Sequence, residues 1–243
     1  MAAGNGVFST ARRNWRLLKL ALRMREDPAA FYRALNATAV EYLHRMGVPL
    51  DGTTWLDAGT GSGAMPEALA IQGARAVALD LRDGRLPGLV RAPFVQARAE
   101  RLPFRDGAFD GVLSSNVLEH MPSPLDMTHE LARVCRPGGF VYLSWTNWYS
   151  PWGGHEMTPF HYLGPRLGLR AYELMHGRPP AENVPGRTLF PVHVGPILKG
   201  LRGSALSIVD VAPRYWPSLR FLGRVPGLRE VAMWNCVVLL RKP

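Results

Sequence analysis

The segment SPWGGHEMTPFHYLG, residues 150–164, contains residue types that could do chemistry. A histidine beside a carboxylate could move a proton, and two histidines could bind a metal ion. The zinc-binding pattern HExxH places both histidines on one helical face, whereas His155 and His161 lie six residues apart with Pro159 between them. We therefore expect no metal. We expect His155 to act as a general base or to orient an acceptor, with Glu156 as its partner or a second polar contact. A loop histidine held by hydrogen bonds is the alternative.

A second set of candidate residues lies in WLDAGTGSGAM, where an acid precedes closely spaced glycines. Glycine lets the backbone approach a ligand closely, and the spacing fits a dinucleotide-binding loop, with Asp80 about 20 residues further on. Asp57, however, comes two residues before the first glycine. Its carboxylate would repel a pyrophosphate but attract the sulfonium and ammonium groups of S-adenosylmethionine. The charge therefore favours S-adenosylmethionine as the ligand.

The elements that must position these residues follow an alternating pattern of strands and helices. Five short apolar segments are predicted strands: TTWLDA, ARAVALD, APFVQA, FDGVLSS and FVYLSW. AMPEALAIQ and residues 125–135 are predicted helices between them. Strands that alternate with helices in this way indicate βαβ units and a largely parallel sheet. Two further strands are predicted in ALSIVDVAPRYW and EVAMWNCVVLLRK, because both are rich in β-branched and aromatic residues.

Two helices are predicted before the first strand. In the first, residues 8–25, the apolar residues fall on one face and arginines fill much of the rest: Phe8, Ala11, Trp15, Leu18 and Leu22. We expect this helix to pack as a lid across a cofactor cleft. Contact with an anionic membrane surface is the alternative, and the two are compatible for a lipid-linked acceptor. The second helix, which Asp27 and Pro28 open, carries Tyr32, which could reach the methionine end of the cofactor.

The composition is that of one globular domain. The chain has 243 residues, of which 47% are hydrophobic, and it contains no apolar run long enough to span a membrane. Lys19 interrupts the apolar stretch near the N-terminus, so we expect no signal peptide. Cys135 and Cys236 are expected to be buried free thiols in a reducing cytoplasm. We therefore expect a cytoplasmic protein, with peripheral contact at the inner membrane face as an open alternative.

The net charge of +10 is concentrated at the two ends of the chain. Residues 1–25 carry +6 and residues 199–243 carry +6, so the middle of the chain has a net charge of −2. An enzyme that acts on nucleic acid would carry its basic residues around the active site. We therefore expect no nucleic-acid partner, although the sequence pI of about 10.3 keeps an RNA-modifying enzyme as an alternative.

Downstream of the glycine loop the chain reads ARAERLPFRDGAFDGVLSSNVLEHMPSPLDMTHELARVCRPGGFVYLSW. This stretch resembles the type-11 class I S-adenosylmethionine-dependent methyltransferases, in register over residues 53–145. The chain also looks like an actinobacterial subgroup without assigned substrates. The resemblance implies an α/β, Rossmann-like class I methyltransferase fold: a seven-stranded, mostly parallel sheet with helices on both faces and an antiparallel last strand.

The resemblance also implies roles for individual residues. Those that border the methionine end of the cofactor are Asp57, Gly59, Thr60, Gly61 and Gly63. Asp80 would bind the ribose hydroxyls and Leu81 the adenine, while Ala99 and Glu100 would line the adenine side. Ser115 and Asn116 would lie near the sulfur. His120, where the family often has histidine, is a catalytic candidate for which we expect a mainly structural role. Arg98 replaces the usual aspartate, so the adenine hydrogen bond is lost or comes from the backbone.

The segment SSNVLEH also bears on the acceptor. Methyltransferases that act on amino groups of bases often have Asn/Asp-Pro-Pro-Tyr/Phe at this position, which this chain lacks. We therefore expect O- or C-methylation, rather than N-methylation, of a small-molecule, glycan or lipid-like acceptor. A non-catalytic S-adenosylmethionine-binding module is a further alternative. We expect a single domain over 1–243: an N-terminal helical lid (1–47), a cofactor-binding core (53–147), an acceptor-side cap (148–203) and the last two strands (204–243).

Overall fold

The computed structural model describes residues 3–89 and 92–243, and seven strands of this part of the chain form one sheet. The strands are β1 (Thr54–Ala58), β2 (Arg75–Asp80), β3 (Phe94–Gln96), β4 (Phe109–Ser115), β5 (Cys135–Thr146), β6 (Ser207–Pro213) and β7 (Asn235–Arg241). They lie in the order β3-β2-β1-β4-β5-β7-β6. β7 pairs antiparallel with both β5 and β6, and the other pairs are parallel. The predicted sheet is thereby confirmed.

The helices are α1 (Ala3–Leu22), α2 (Pro28–Arg45), α3 (Ala64–Ala70), α4 (Pro124–Val134), α5 (Pro165–His176), α6 (Val194–Arg202) and α7 (Leu228–Ala232). Short 3-10 helices cover Leu118–His120, His155–Met157, Phe160–Leu163 and Pro217–Arg224. The start of α2 agrees with the sequence pattern, because Asp27 Oδ1 accepts a hydrogen bond from the Ala30 N–H at 2.9 Å and Pro28 takes the first helical position. None of the helices in the described ranges is long and apolar enough to cross a membrane.

The core forms two layers, one on each face of the sheet. α4 and α6 pack against one face, and α2 and α3 against the other. Neighbouring strand residues alternate between the layers: Trp55 and Leu113 belong to the α2–α3 layer, and Leu56 and Val112 to the α4–α6 layer. This period of two is the reason why strands buried on both faces are apolar along their whole length.

The last predicted strands are shorter in the structure than in the sequence pattern. β6 ends at Pro213; the Arg214 N–H still donates to the carbonyl of Asn235 in β7 at 2.8 Å, and the Arg214 side chain turns towards α2. The first residues of EVAMWNCVVLLRK belong to α7 rather than to a strand. A high content of β-branched residues did not distinguish a short helix from the strand that follows it.

The first helix lies with its predicted apolar stripe outwards and packs on the protein through another side, so its role as a lid over the cofactor cleft stays a prediction. Arg13 and Asn14 donate to the carbonyl of Tyr215 at 2.9 and 2.7 Å, and Leu17 is buried, so this side of α1 faces the protein. The predicted apolar stripe faces solvent instead, with Trp15 60% and Leu22 80% exposed. The side chain of Phe8, which completes the predicted stripe, lies outside the described part of the structure.

Candidate active site

The candidate cofactor site begins at the glycine loop between β1 and α3. Gly59 and Gly61 have φ angles of 87° and 49°, in the left-handed region that favours glycine. The N–H groups of Gly59 and Thr60 donate to the carbonyl of Leu79 at 2.8 and 3.0 Å, and the Gly61 N–H donates to Asp80 Oδ2 at 2.9 Å. The loop is therefore fixed against the end of β2, at the carboxyl edge of the sheet where open α/β folds bind ligands.

Two buried polar side chains at this loop have atoms without a hydrogen-bond partner. Asp57 is 1% exposed, and neither its Oδ2 atom nor the Thr60 hydroxyl has a partner among the described residues. Burial raises the pKa of Asp57 to about 7; the Thr60 side chain opposes this rise, and the charge of Asp80 adds to it. A buried carboxylate with an unpaired oxygen is costly unless a cation binds beside it.

Asp80 and Leu81 lie on the rim of the loop, where β2 ends. The second oxygen of Asp80 accepts the Leu81 N–H at 2.7 Å, and the side chain of Leu81 is exposed. Gly63 precedes α3 with a φ of 79°, and an added Cβ would lie 2.8 Å from the side chain of Arg85. These positions agree with the ribose and adenine contacts expected from the sequence, which remain predictions.

The residues after β3 explain the departure at Arg98. Its guanidinium forms an ion pair with Glu100 Oε1 at 2.8 Å, and the Arg98 side chain is largely exposed. Glu100 is half-buried and Ala99 is buried beneath it. Arg98 therefore points to solvent, and contact of Ala99 and Glu100 with the adenine stays a prediction.

Ser115 and Asn116, which were expected near the sulfur, are already hydrogen-bonded to the protein. The Ser115 hydroxyl is bound to Arg214 Nη1 at 3.0 Å and to Ser144 Oγ at 3.1 Å. Asn116 has a φ of 58°, and its Oδ1 atom accepts from Asn235 Nδ2 at 2.7 Å. Both residues lie at the end of β4 as predicted, but their side chains link this strand to its neighbours.

A cluster of titratable side chains follows β4. Glu119, His120 and His155 each offer one carboxylate oxygen or ring nitrogen, and these atoms lie within 4.8 Å of one another. Glu119 is 1% exposed; its Oε1 accepts the Thr146 N–H at 3.0 Å, whereas its Oε2 has no partner in the described part of the chain. The Nε2 atom of His155 is also buried without a described partner. The 3-10 helix Leu118–His120 and the cap thus bring together residues that are far apart in sequence.

Burial dominates the protonation of this cluster. It raises the pKa of Glu119, against the charge of His120 and the hydrogen bond from Thr146. Burial, with a smaller contribution from the charge of His120, lowers the pKa of His155 to about 4, so His155 is neutral at pH 7. His120 Nδ1 lies 2.7 Å from the carbonyl of Thr188, which can only accept, so Nδ1 carries the proton and Nε2 the lone pair in the neutral ring. His155 is therefore a weaker base than the sequence analysis assumed.

Glu156 has a different role from the one predicted. Its oxygens accept the backbone N–H groups of Ala181, Glu182 and Asn183 at 2.7, 2.9 and 3.2 Å, and these bonds lower its pKa against the effect of burial. Within the described residues, no hydrogen bond joins Glu156 to His155. The prediction of Glu156 as the partner of His155 is corrected, because this carboxylate anchors the cap loop that follows α5.

The pair Gly153-Gly154 is required for close packing and not for unusual backbone angles. A Cβ at Gly153 would lie 1.9 Å from the carbonyl oxygen of Trp148, and one at Gly154 would lie 2.5 Å from the ring of His161. The residue with a left-handed backbone is His155, whose φ is 48°. His161 is buried beneath the pair, with Nε2 3.1 Å from the carbonyl of Ser150.

Tyr32 lies where α2 meets the cap. Its side chain is partly buried, and burial together with the nearby charge of Glu182 raises its pKa. Contact between Tyr32 and the methionine end of the cofactor stays a prediction.

Comparison with known proteins identifies the family. A family model described as a methyltransferase domain matches residues 56–143. An uncharacterized methyltransferase of Mycobacterium leprae (strain TN) is 40% identical over 252 residues, which cover 97% of this chain and 92% of that protein. This chain belongs to the type-11 methyltransferase family.

Solved structures agree with the fold of this methyltransferase. An S-adenosylmethionine dependent methyltransferase from Mesorhizobium loti superposes with a TM-score of 0.58 at 20% identity, over 84% of this chain and 98% of that chain. The Burkholderia thailandensis 1,6-didemethyltoxoflavin-N1-methyltransferase, solved with 1,6-didemethyltoxoflavin and S-adenosylhomocysteine, gives 0.54 at 20% identity, over 100% of this chain and 91% of that chain. These similarities establish the class I fold.

The cofactor of this methyltransferase is S-adenosylmethionine, and the glycine loop fits its cationic end. Asp57 Oδ2 is a buried acceptor without a partner among the described residues, which an ammonium group would satisfy, and the Thr60 hydroxyl lies beside the same carboxylate. Each carboxylate oxygen of Asp80 accepts one backbone N–H, and each can accept a second hydrogen bond from a ribose hydroxyl group. When bound, the cofactor supplies an electrophilic methyl group on a positively charged sulfur.

Sequence reasoning missed two residues of this methyltransferase. The sequence pattern singled out His120 and not Glu119, although a carboxylate four residues after the end of the predicted strand FDGVLSS is a candidate on type alone. Arg214 was not considered. It is buried, and it donates to Leu35 O, Thr38 Oγ1 and Ser115 Oγ at 2.9 to 3.0 Å. The strand pattern placed Arg214 near the end of a predicted strand, and it gave no indication of the contacts that its side chain makes with other elements.

Proposed function

We propose that this methyltransferase transfers the methyl group to an oxygen or carbon atom of a small-molecule, glycan or lipid-like acceptor, held beside Glu119 and His155. The observation that supports this proposal is the cluster of Glu119, His120 and His155 at the carboxyl end of β4. Two of its atoms, Glu119 Oε2 and His155 Nε2, are buried and have no described partner. Such atoms are satisfied when a polar ligand binds against them.

An oxygen or carbon nucleophile has to lose a proton when it is methylated. The new bond to the methyl carbon forms as the carbon–sulfur bond breaks, and the electron pair of that bond stays on the sulfur. Glu119 takes this proton on its free oxygen, and His155 accepts a hydrogen bond that helps to hold the acceptor in line with the methyl group. Buried surroundings strengthen these hydrogen bonds, because little water competes for the acceptor.

The test uses the full chain with S-adenosylmethionine and a panel of phenols, sugars and lipid alcohols, and it measures S-adenosylhomocysteine release. For the acceptor that is turned over, we expect Glu119→Gln and His155→Ala to lower kcat by about 100-fold or more, the usual contribution of a proton-handling group. S-adenosylmethionine affinity should stay unchanged, because the glycine loop is intact. His129→Ala, an exposed histidine on α4, is the control. Undiminished turnover in both cluster variants would contradict the proposed site.

We also propose that α1 contacts an anionic membrane surface, which suits a lipid-like acceptor. Trp15 and Leu22 are largely exposed on one face of the helix, and Leu18 between them is more than one-third exposed. Exposed basic residues flank this stripe: Arg12, Arg16, Lys19 and Arg23. A helix with an exposed apolar face and cationic flanks is typical of binding in the plane of a membrane interface.

Sedimentation with phosphatidylglycerol vesicles, compared with phosphatidylcholine vesicles, tests this contact. We expect the protein to pellet with anionic vesicles and the double variant Trp15→Ser, Leu22→Ser to remain in the supernatant. The matched control is Leu174→Ser, Met175→Ser, which removes exposed apolar surface of similar size from α5, where the two side chains are 87% and 71% exposed. Equal pelleting of the α1 variant and the control would show that the stripe does not bind membranes.

A further inference from the structure

Glu119, His120 and His155 form the kind of donor set that binds a metal ion. One carboxylate oxygen and one nitrogen from each of the two imidazole rings all lie within 4.8 Å of one another. The rings of His120 and His155 lie 5.2 Å apart between centroids, at an interplanar angle of 68°. Two histidines and one carboxylate, with the remaining positions open, are a recurring set of ligands for divalent transition metals.

The surroundings orient each of the three donors. His120 gives its Nδ1 proton to the carbonyl of Thr188, which leaves Nε2 as the nitrogen with a lone pair. Glu119 uses Oε1 for the Thr146 N–H and keeps Oε2 without a described partner. The φ of 48° at His155 is rare for a residue with a side chain, and such backbone strain concentrates at functional sites.

The cluster contains two buried polar atoms that nothing in the described part of the chain satisfies. Glu119 Oε2 and His155 Nε2 are both without a described hydrogen-bond partner. A carboxylate oxygen and a neutral ring nitrogen both carry lone pairs, so they cannot satisfy each other without a proton or a cation between them. A metal ion would satisfy both atoms at once, together with the free nitrogen of His120.

We propose that Glu119, His120 and His155 bind one divalent transition-metal ion, of the class of Zn²⁺ or Mn²⁺, which holds the acceptor oxygen. This proposal rests on the proposed function, because it places the acceptor at the same cluster. The acceptor O–H loses its proton to bulk water as its oxygen binds the ion. The oxygen–methyl bond then forms while the carbon–sulfur bond breaks with its electron pair left on sulfur, and the metal keeps its oxidation state.

The choice of metal follows from the donor types. Mg²⁺ and Ca²⁺ prefer sites made of oxygen atoms, whereas imidazole nitrogens suit zinc and its transition-metal neighbours. In a tetrahedral zinc site, ligands about 2.1 Å from the metal lie roughly 3.4 Å from one another. Binding therefore needs these ligand atoms to close by up to about 1.4 Å. The expectation of no metal considered only His155 with His161, and the proposed site uses other partners.

Metal binding is measured on the full chain after removal of bound metal with a chelator. Co²⁺ is titrated while its visible absorption bands are recorded, and Zn²⁺ and Mn²⁺ are titrated by calorimetry. We expect one equivalent of Co²⁺ to bind to the wild type. Glu119→Gln and His155→Ala should each weaken binding by more than about 100-fold, since loss of even an outer partner of a ligand weakens binding by about 10- to 100-fold. His129→Ala, outside the cluster, should bind like the wild type.

Cofactor affinity separates this proposal from the proposed function. Each variant is tested for S-adenosylmethionine binding by calorimetry and for folding by circular dichroism, so loss of metal in a folded variant that still binds cofactor supports the site. No binding of any of the three ions at millimolar concentration to the folded wild type would overturn the metal proposal. Methyl transfer that persists unchanged in chelator would overturn it too, while leaving the proposed function in place with a metal-free base. Failure of the wild type to turn over any acceptor, with metal bound, would count against the proposed function alone.

Discussion

At the residue scale, the buried carboxylate of Asp57 has opposite effects on the stability of the free protein and on cofactor binding. It is buried beside the glycine loop without a cation, and burial raises its pKa to about 7. We expect the same unpaired oxygen to attract the cationic end of S-adenosylmethionine. We therefore expect Asp57 to strengthen cofactor binding and to lower the stability of the free protein. Binding sites commonly lose stability in exchange for function in this way.

The first prediction concerns the stability of Asp57→Asn. In the unfolded chain an aspartate has a pKa of about 3.9, so between about pH 4 and 7 the folded protein keeps a proton that the unfolded chain loses. Stability of the free wild type therefore falls as the pH rises through this window, by roughly 4 kcal/mol at most. Asparagine has no such penalty. We expect urea unfolding to find Asp57→Asn more stable than the wild type at pH 8, with a much smaller difference at pH 4.

The same variant should bind S-adenosylmethionine at least about tenfold more weakly, because a charge-assisted contact is lost. Asp126→Asn, at an exposed site on α4, serves as the control for both measurements. Unchanged cofactor affinity in Asp57→Asn would contradict the role that its position and charge indicate.

At the same scale, the sequence indicated which candidate cofactor residues lie together better than it did for the proposed acceptor site. Asp57, Gly59 and Asp80 lie in one β1–loop–α3–β2 unit, so their spacing alone places them together. Glu119 and His155 meet only because the cap folds back onto the end of β4, through bonds such as that between the Phe190 N–H and the Glu119 carbonyl at 2.8 Å. Local periodicity contains no information about such a contact.

At the scale of elements, Arg214 joins α2 to the sheet. Its guanidinium reaches the last residues of β4 and β5 through Ser115 and Ser144, and it reaches α2 through Thr38 and the carbonyl of Leu35. The planar fork of arginine suits four acceptors in different directions, which a lysine ammonium cannot match.

We expect Arg214→Lys to lower the free energy of unfolding by about 2–4 kcal/mol, because buried acceptors lose their donors and a buried charge remains. Amide hydrogen exchange should also become faster in α2, with little change in α4 on the other face of the sheet. Arg220→Lys, whose exposed guanidinium lies 3.4 Å from the largely buried carboxylate of Asp210, should cost less than about 1 kcal/mol, because lysine can keep this single contact. Equal losses in the two variants would argue against the linking role of Arg214.

The elements themselves were largely predictable, since each strand of the sheet corresponds to a β-rich segment with turn residues around it. The orientation of α1 was not. Its apolar stripe is a valid helical face, but Arg13, Asn14 and Leu17 form a second face with better partners on the protein. An amphipathic pattern shows that a helix has an apolar side, and it does not show what that side contacts.

At the scale of the whole molecule, the basic charge lies away from the middle of the chain that forms most of the site. Residues 1–25 and 199–243 each carry +6, and the remainder has a net charge of −2. Nucleic-acid binding scales with the number of phosphates that basic residues neutralise, so a large basic surface around the cleft would be needed for an RNA substrate.

We therefore expect mixed RNA to bind only in the non-specific range, with a Kd of about 10⁻⁴ to 10⁻⁶ M at physiological salt. Fluorescence anisotropy with a labelled RNA, at about 50 mM and 200 mM salt, measures this directly. The six basic residues of 1–25 should account for much of any binding, so deletion of that segment provides the comparison. Nanomolar binding that survives the deletion would instead favour an RNA acceptor.

The buried guanidinium of Arg214 also determines the electrostatic potential at the centre of the sheet's carboxyl edge. None of its described hydrogen-bond partners is an acid, so its positive charge is not cancelled locally. The charge already lowers the pKa values of Tyr142 and Tyr215 against the stronger effect of their burial. The same positive charge stabilises the anionic form of any acidic group that lies near Ser115. It therefore makes removal of a proton from such a group easier, whichever base accepts that proton.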